Sequence, residues 1–265
     1  MALKAILVSD VPNFNQNSIA SFNAAAKFPI DYIEFDVQVT KDDSLVIFHD
    51  NFVLSADNNG TVFEKRITEP CLSKFLSYGP QREPEKKGRS LLRKTEDGKI
   101  VNWDAILLVV FEYAKGRPIV FSSFQPDAGL LVRKLQDTYP VFFLTEGGTE
   151  IYHDVRRNSL EAAIKVCLEG GLEGIVSDVK GVFRNPGAVN KTKESKLSLL
   201  TYGKLNNVVV AVYKQHLMGI DGVIVDLVKE ITEGVIVDLV KEITKPHFTQ
   251  RELAFLLKLI PELIQ

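Results

Sequence analysis

Tyr32-Ile-Glu34-Phe-Asp36-Val-Gln-Val-Thr40-Lys-Asp-Asp-Ser44-Leu-Val-Ile-Phe-His49-Asp50 is the stretch on which the reading of the fold turns. Two apolar, β-branched runs, Tyr32–Val39 and Leu45–His49, read as strands bounded by turn residues. Only Lys41-Asp-Asp-Ser44 intervenes, too short for a crossover helix, so a hairpin-like or bent connection is expected. Side chains alternate along a strand, which points Glu34 and Asp36 the same way. Two carboxylates on an otherwise apolar strand repel and are costly to bury uncompensated. A divalent cation, Mg²⁺ or Ca²⁺, would compensate, because hard cations prefer carboxylate oxygens; an edge strand exposing both to water would do so equally. His49 ends the second run, where barrel-type strands present catalytic groups, and its ordinary pKa suits proton transfer near neutrality. That position also fits a structural histidine. Asp50 is read as capping the next turn or hydrogen-bonding locally.

Outward from this stretch, strand-like runs recur at Ile119–Ser122, Val141–Leu144, Gly174–Ser177, Leu197–Tyr202 and Gly222–Val225. Helical patterns separate several of them. Asn17 caps one with Ile19, Phe22, Ala25 and Ala26 on one face, Asp104 caps Ala105–Lys115, and Pro126 opens another. Asn158 with Glu161 resembles a capping box for a helix that Gly170-Gly171 ends. Alternation of this kind predicts an α/β fold with a parallel sheet. The charged segment Gly79–Lys99 reads as an exposed excursion. Gly222-Val-Ile-Val-Asp-Leu-Val-Lys-Glu-Ile-Thr232 recurs letter for letter as Gly234–Thr244, a local duplication too short for a solenoid unit. The chain closes on Thr249-Gln-Arg-Glu252, a capping box before an amphipathic helix with Leu253, Leu256, Leu257 and Ile260 inward. The expected organisation is a barrel domain over 1–245 followed by that helix over 246–265.

A net charge of −2 offers no field for nucleic acid, and no apolar run reaches the roughly 20 residues of a membrane span. Cys71 and Cys167 fit no metal or redox spacing and read as reduced thiols. The first ten residues have neither the apolar stretch of a signal peptide nor the Arg/Ser richness of a transit peptide. A cytoplasmic location is the default expectation.

The segments Asn17-Ser-Ile-Ala-Ser-Phe-Asn-Ala-Ala-Ala-Lys-Phe-Pro29, Ile33-Glu-Phe-Asp-Val-Gln-Val-Thr-Lys-Asp42 and Val46-Ile-Phe-His-Asp50 resemble the glycerophosphodiester phosphodiesterase family, its small plant branch above all. Similarity continues in order through Gly60–Arg66, Tyr78–Glu83, Phe121–Asp127, Phe143–Thr145, Gly174–Ser177, Leu199–Asn207 and Gly219–Asp226. The resemblance implies a (β/α)₈ TIM-type barrel, incomplete or distorted here. It implies a small-molecule partner, a glycerophosphodiester such as glycerophosphocholine, hydrolysed to glycerol 3-phosphate and an alcohol. Carried over by residue, Glu34 and Asp36 bind the metal and His49 is one of two acid/base histidines. A plastid location is the alternative that resemblance to the family's full-length members implies.

Two departures accompany the match. The family opens with a strand ending His-Arg-Gly, whereas residues 1–16 contain no histidine and no arginine. The family's Glu-x-Lys strand follows the excursion, whereas here Val101-Asn-Trp-Asp104 runs directly into the next helix. A truncated N-terminus and an internal deletion are the expectation, with weak metal binding and impaired hydrolysis, or a non-catalytic homologue. His153, His216 and His247 offer no obvious substitute for the absent histidine. Ala5–Val8 is the candidate for the first strand's place, and Gly234–Val237 for an open edge.

Overall fold

The computed structural model describes residues 4–8, 22–24, 26–28, 30–49, 52–56, 62–78, 103–227 and 231. Asp50, the Asn17 cap, the Gly79–Lys99 excursion, the second repeat copy and the closing helix lie outside these residues. The strands are β1 (Lys4–Val8), β2 (Tyr32–Glu34), β3 (Val37–Val39), β4 (Leu45–Ile47), β5 (Phe52–Ala56), β6 (Val62–Arg66), β7 (Phe121–Ser123), β8 (Val141–Thr145), β9 (Gly174–Asp178), β10 (Ser198–Tyr202) and β11 (Gly222–Val225). The helices are α1 (Leu72–Leu76), α2 (Trp103–Tyr113), α3 (Pro126–Leu135), α4 (Leu160–Gly170), α5 (Val179–Arg184), α6 (Gly187–Glu194) and α7 (Val209–Met218). They form two compact units, one of Met1–Glu34 with Ile119–Gln265 and one of Phe35–Pro118. No helix among the described residues is long and apolar enough to cross a membrane.

The first unit is built on a seven-stranded sheet in the order β2-β1-β11-β10-β9-β8-β7. Every pairing in it is parallel. β1 lies between β2 and β11, with Leu7 opposite Ile33 on one side and Val225 on the other. The run Ala5–Val8 therefore occupies the first strand's place, and the first repeat copy supplies β11. Helices connect β7 through β11 in turn, as a parallel sheet requires. This is the strand order of a (β/α)₈ barrel with one strand fewer among the described residues. β2 and β7 are the end strands of this order, and a barrel's third strand belongs between them.

The two faces of the sheet differ in what covers them. On one, strand residues pack on each other: Phe142, Val176, Leu200 and Ile224 are buried, with Tyr32, Val120, Leu144 and Tyr202 against them. On the other, Val223 and Val225 meet Val212 of α7, with Phe28, Ile30, Ile33 and Ile231. An inner face filled by strand side chains and an outer face covered by helices is the layering of a barrel wall. A buried polar network locks β10 to β11 and α7. Asn206 Nδ2 donates to the carbonyls of Thr201 and Ile224, both at 2.9 Å, Gln215 Nε2 donates to Asn206 Oδ1 at 2.8 Å, and Thr201 bonds Gln215.

Local chemistry sets the helix ends. Pro126 is a first-turn residue of α3, as its fixed φ favours. The cap of α4 is Ser159 rather than Asn158: the Ser159 hydroxyl accepts from the Ala162 amide at 3.0 Å. Asn158 is instead drawn into exchange with the backbone of Tyr152, at 2.7 and 2.8 Å. Helix α2 begins at Trp103, which puts Asp104 inside its first turn. α4 buries Leu160, Ala163, Ile164, Val166 and Cys167, the i, i+3, i+4 stripe of a helix docked on a sheet, and Gly171 ends it at φ +66°.

Cys167 is a free, fully buried thiol whose Sγ donates to the Gly174 carbonyl at 3.3 Å. Burial pushes it from 9.0 up to about 12, against a smaller opposing bond from Phe143. A folded pKa above the unfolded one gives stability that is complete below pH 9 and lost as pH rises toward 12. Urea midpoints measured from pH 7 to 11 should fall, and fall less steeply in Cys167→Ala. Equal slopes would show that the thiol is not linked to folding.

In the second unit β3 and β4 form an antiparallel hairpin, with Val37 opposite Ile47 and Val39 opposite Leu45. Thr40 closes the turn, its amide donating to the Ser44 carbonyl at 3.0 Å and its hydroxyl to Asp42 at 2.5 Å. The short Lys41–Ser44 connection is thus a hairpin turn, as its length requires. β5 and β6 form a second hairpin, and Val46, Val53 and Ile67 make the unit's core with Phe48 and Phe75 edge to face at 5.5 Å.

Candidate active site

The expected single strand Tyr32–Val39 is two strands. β2 ends at Glu34, Phe35 is 49% exposed, and the chain leaves the parallel sheet to begin β3 at Val37. Alternation along one strand therefore does not relate Glu34 to Asp36. Glu34 is half-buried at the end of β2 in the first unit; half-buried Asp36 and exposed His49 belong to the second. Within the second unit the hairpin register brings Asp36 and His49 to one end, the Phe48 amide donating to the Asp36 carbonyl at 3.2 Å. Among the described residues no group of three or more His, Cys, Asp and Glu is placed to hold a metal ion. Glu34 and Asp36 are the right hard-oxygen donors, but two carboxylates do not fill the six to eight positions of a Ca²⁺ shell.

The first unit carries a set of polar groups of its own at the C-terminal ends of its strands. Tyr32, Leu144, Val176, Tyr202 and Ile224 all pack into the inner cluster. Alternation then assigns Glu34 of β2 and Asp178 of β9 to the same side, with Glu146 and Asp226 one step past β8 and β11. Phe124, just past β7, stands edge-on to Tyr202 at 6.2 Å. The Tyr202 hydroxyl donates to the Thr145 carbonyl at 3.3 Å. Burial, then the neighbouring Glu146 and Asp178 carboxylates, raise its pKa far above the usual tyrosine value, so it stays a neutral donor. Asp226 is held by Asn207, whose Nδ2 donates to Oδ2 at 2.7 Å while its Oδ1 accepts from the Asp226 amide at 2.8 Å.

The loop after β8 adds an arginine to this rim. Gly147 and Gly148 turn the chain at φ +63° and +90°, and a Cβ on Gly147 would stand 2.5 Å from Ser177 Oγ. The loop then returns through Tyr152 to a 3₁₀ turn, Val155–Arg157, capped by Asp154. Arg156 clamps that turn to the start of α3: its Nη1 and Nη2 donate to Asp127 at 2.7 and 2.9 Å, and its Nε and Nη2 donate to Asp154. These bonds hold Asp127 and Asp154 below the usual carboxylate range. Arg157 turns the other way and is buried, its guanidinium 3.7 Å from the Tyr152 ring centre and 5.9 Å from that of Phe124. The Tyr152 hydroxyl in turn donates to Glu146 at 3.5 Å.

Glu146, Asp178, Tyr202 and Asp226 were not singled out from sequence, although each stands at the end of a recognised strand-like run, where barrel enzymes place their chemistry. Arg157 had no such signal in the sequence.

Comparison with known proteins puts this architecture in context. The model of the glycerophosphoryl diester phosphodiesterase family matches residues 9–90 and 54–230, two overlapping stretches. The chain is 57% identical to the chloroplastic glycerophosphodiester phosphodiesterase GDPD1 of Arabidopsis thaliana, over 94% of this chain and 84% of that protein. It is 52% identical to GDPD2 of the same plant, over 94% and 83%. The first alignment runs over 303 positions against the 265 residues of this chain, so the relative carries residues that this one lacks. A crystal structure of a putative glycerophosphoryl diester phosphodiesterase from Silicibacter pomeroyi superposes with a TM-score of 0.68 at 16% identity, over 89% of this chain and 94% of that one.

Proposed function

Because the chain belongs to the glycerophosphoryl diester phosphodiesterase family, we propose that its ligands are small glycerophosphodiesters and that its hydrolysis of them is impaired. The observation that supports the reading of impairment is the sheet order: among the described residues no strand pairs β2 or β7 on its outer side, the position that the family resemblance gives to its Glu-x-Lys strand. β1 fills the first strand's place without histidine or arginine in residues 1–16. The lesion falls on groups that touch the phosphate, while the wall from β7 to β11 is retained.

In this reading Glu34 and Asp36 supply two carboxylates to a divalent cation, Mg²⁺ or Ca²⁺, and His49 exchanges a proton with the attacking or leaving hydroxyl. Without the family's second histidine the acid/base pair that the resemblance implies is incomplete, which limits the rate independently of the metal. The same sheet order supports a second reading, a homologue that binds these diesters without turning them over. The barrel domain would run over 1–245, with 246–265 a closing helix. A plastid location is proposed from the chloroplastic relative.

The test of the reaction is the product. Incubation with glycerophosphocholine and Mg²⁺ or Ca²⁺ should release glycerol 3-phosphate and choline slowly; release of phosphocholine and glycerol would contradict the reading. The test of the metal is calorimetry. With only two carboxylates, binding should be weak, at about 10⁻⁴–10⁻³ M or above by analogy with the weakest protein Ca²⁺ sites, and weaker still in Glu34→Gln. Tight stoichiometric binding would mean that further ligands complete the shell.

A further inference from the structure

Arg156 and Arg157 are neighbours in the chain and opposites in environment. Arg156 is 38% exposed along its side chain and saturated by two carboxylates. Arg157 is only 8% exposed, yet its buried Nε has no hydrogen-bond partner among the described residues. No ion pair within 4.0 Å reaches its guanidinium among the described residues; the Asp154 carboxylate attracts it from farther off, and two aromatic rings lie against it, Tyr152 at 3.7 Å and Phe124 at 5.9 Å.

A buried arginine cannot shed its charge, since its guanidinium stays protonated throughout the working pH range. Taking that charge out of water is costly, and stacking on tyrosine offsets only part of the cost. Buried polar atoms are almost always paired, so an unpaired one asks what else binds there. The rings lie against the guanidinium and leave its Nε as a buried donor without a protein partner among the described residues. A guanidinium is a planar fork of N–H donors that matches the paired oxygens of a phosphate. The location is also specific. Thr145, the last residue of β8, donates its hydroxyl to the Arg157 carbonyl at 3.2 Å. This ties the arginine to the rim where Glu146, Tyr202 and Phe124 stand.

We infer that Arg157 is an anion-binding residue at the C-terminal rim of the β7–β11 wall, and that it receives a phosphate oxyanion of the ligand. The assignment rests on the glycerophosphodiester reading for the identity of the ligand. It gives the chain a phosphate contact on the retained wall that does not depend on the two absent motifs. Binding of phosphorylated ligands is therefore separable from turnover.

Calorimetric titration of the full chain with sn-glycerol 3-phosphate, inorganic phosphate and glycerol separates the possibilities. Both phosphates should bind and glycerol should not, which identifies the oxyanion as the recognised group. Glycerol 3-phosphate binding tighter than inorganic phosphate would place the glyceryl part in the site as well. Arg157→Ala should weaken phosphate binding about 10–100-fold, the range for a charged hydrogen-bonding group. Arg157→Lys, which keeps the charge and loses the fork, should recover part of it. If the alanine variant fails to fold by circular dichroism, the lysine variant decides, with a several-fold loss expected. Phosphate affinity unchanged in a folded variant, or no phosphate binding by the unsubstituted chain, overturns the inference. Release of glycerol 3-phosphate from glycerophosphocholine is followed separately. Turnover with phosphate affinity independent of Arg157 keeps the hydrolase reading and discards this one; Arg157-dependent binding without turnover does the reverse.

Discussion

Phe143→Ala is expected to cost about 3–5 kcal/mol, the range for truncating a buried aromatic side chain. Phe143 lies at the centre of β8, is wholly buried, and pairs Ser123 of β7 on one side and Ile175 of β9 on the other. Alternation from Phe142 in the inner cluster puts it on the helix-facing side, where α3 and α4 pack. Removing the ring leaves a cavity between β8 and the helices α3 and α4. Domains are stable by only about 5–15 kcal/mol, so the variant should lose a large part of its margin. Leu168→Ala in α4 is the control, since Leu168 is 56% exposed and a surface truncation changes stability by about 0.5 kcal/mol or less. Urea midpoints of the two variants decide it. A Phe143→Ala shift no larger than that of Leu168→Ala would mean that β8 is not central to the packed unit.

The sequence was most legible where local chemistry and tertiary demand agree. The runs Val141–Leu144, Gly174–Ser177, Leu197–Tyr202 and Gly222–Val225 are apolar on both faces because both faces of a parallel sheet are covered. They appear as β8 to β11 within a residue or so of the expected bounds. Pro126 opens one helix and Gly171 ends another for backbone reasons that any context preserves. The Ser159 cap was missed by one position, because Asn158 and Ser159 are both good caps and only the demand of Tyr152 for Asn158 separates them.

The candidate site was less legible, for a different reason. Glu34 and Asp36 share a strand pattern, but the pattern does not reveal that β2 stops at Glu34 and β3 restarts in a hairpin. Whether a strand continues depends on which partner its backbone pairs with, and β2 pairs β1 whereas β3 pairs β4. Arg157 was invisible for the opposite cause. Nothing in Val155-Arg-Arg-Asn158 distinguishes a clamped surface arginine from a buried one until the loop after β8 is folded.

The proposal at stake is that this chain keeps the family's wall while departures at the His-Arg-Gly and Glu-x-Lys positions impair its hydrolysis. Restoring those motifs tests it most directly. Segments carrying the His-Arg-Gly and Glu-x-Lys motifs that the family resemblance implies would be grafted at β1 and ahead of α2. Release of glycerol 3-phosphate from glycerophosphocholine would then be compared in the grafted and unaltered chains under saturating Mg²⁺ or Ca²⁺. Loss of one acid or base costs about 10²–10⁴ in rate, so the graft should raise turnover by at least that factor. Turnover by the unaltered chain equal to that of the graft would contradict the claim and require another residue in the role of the absent histidine.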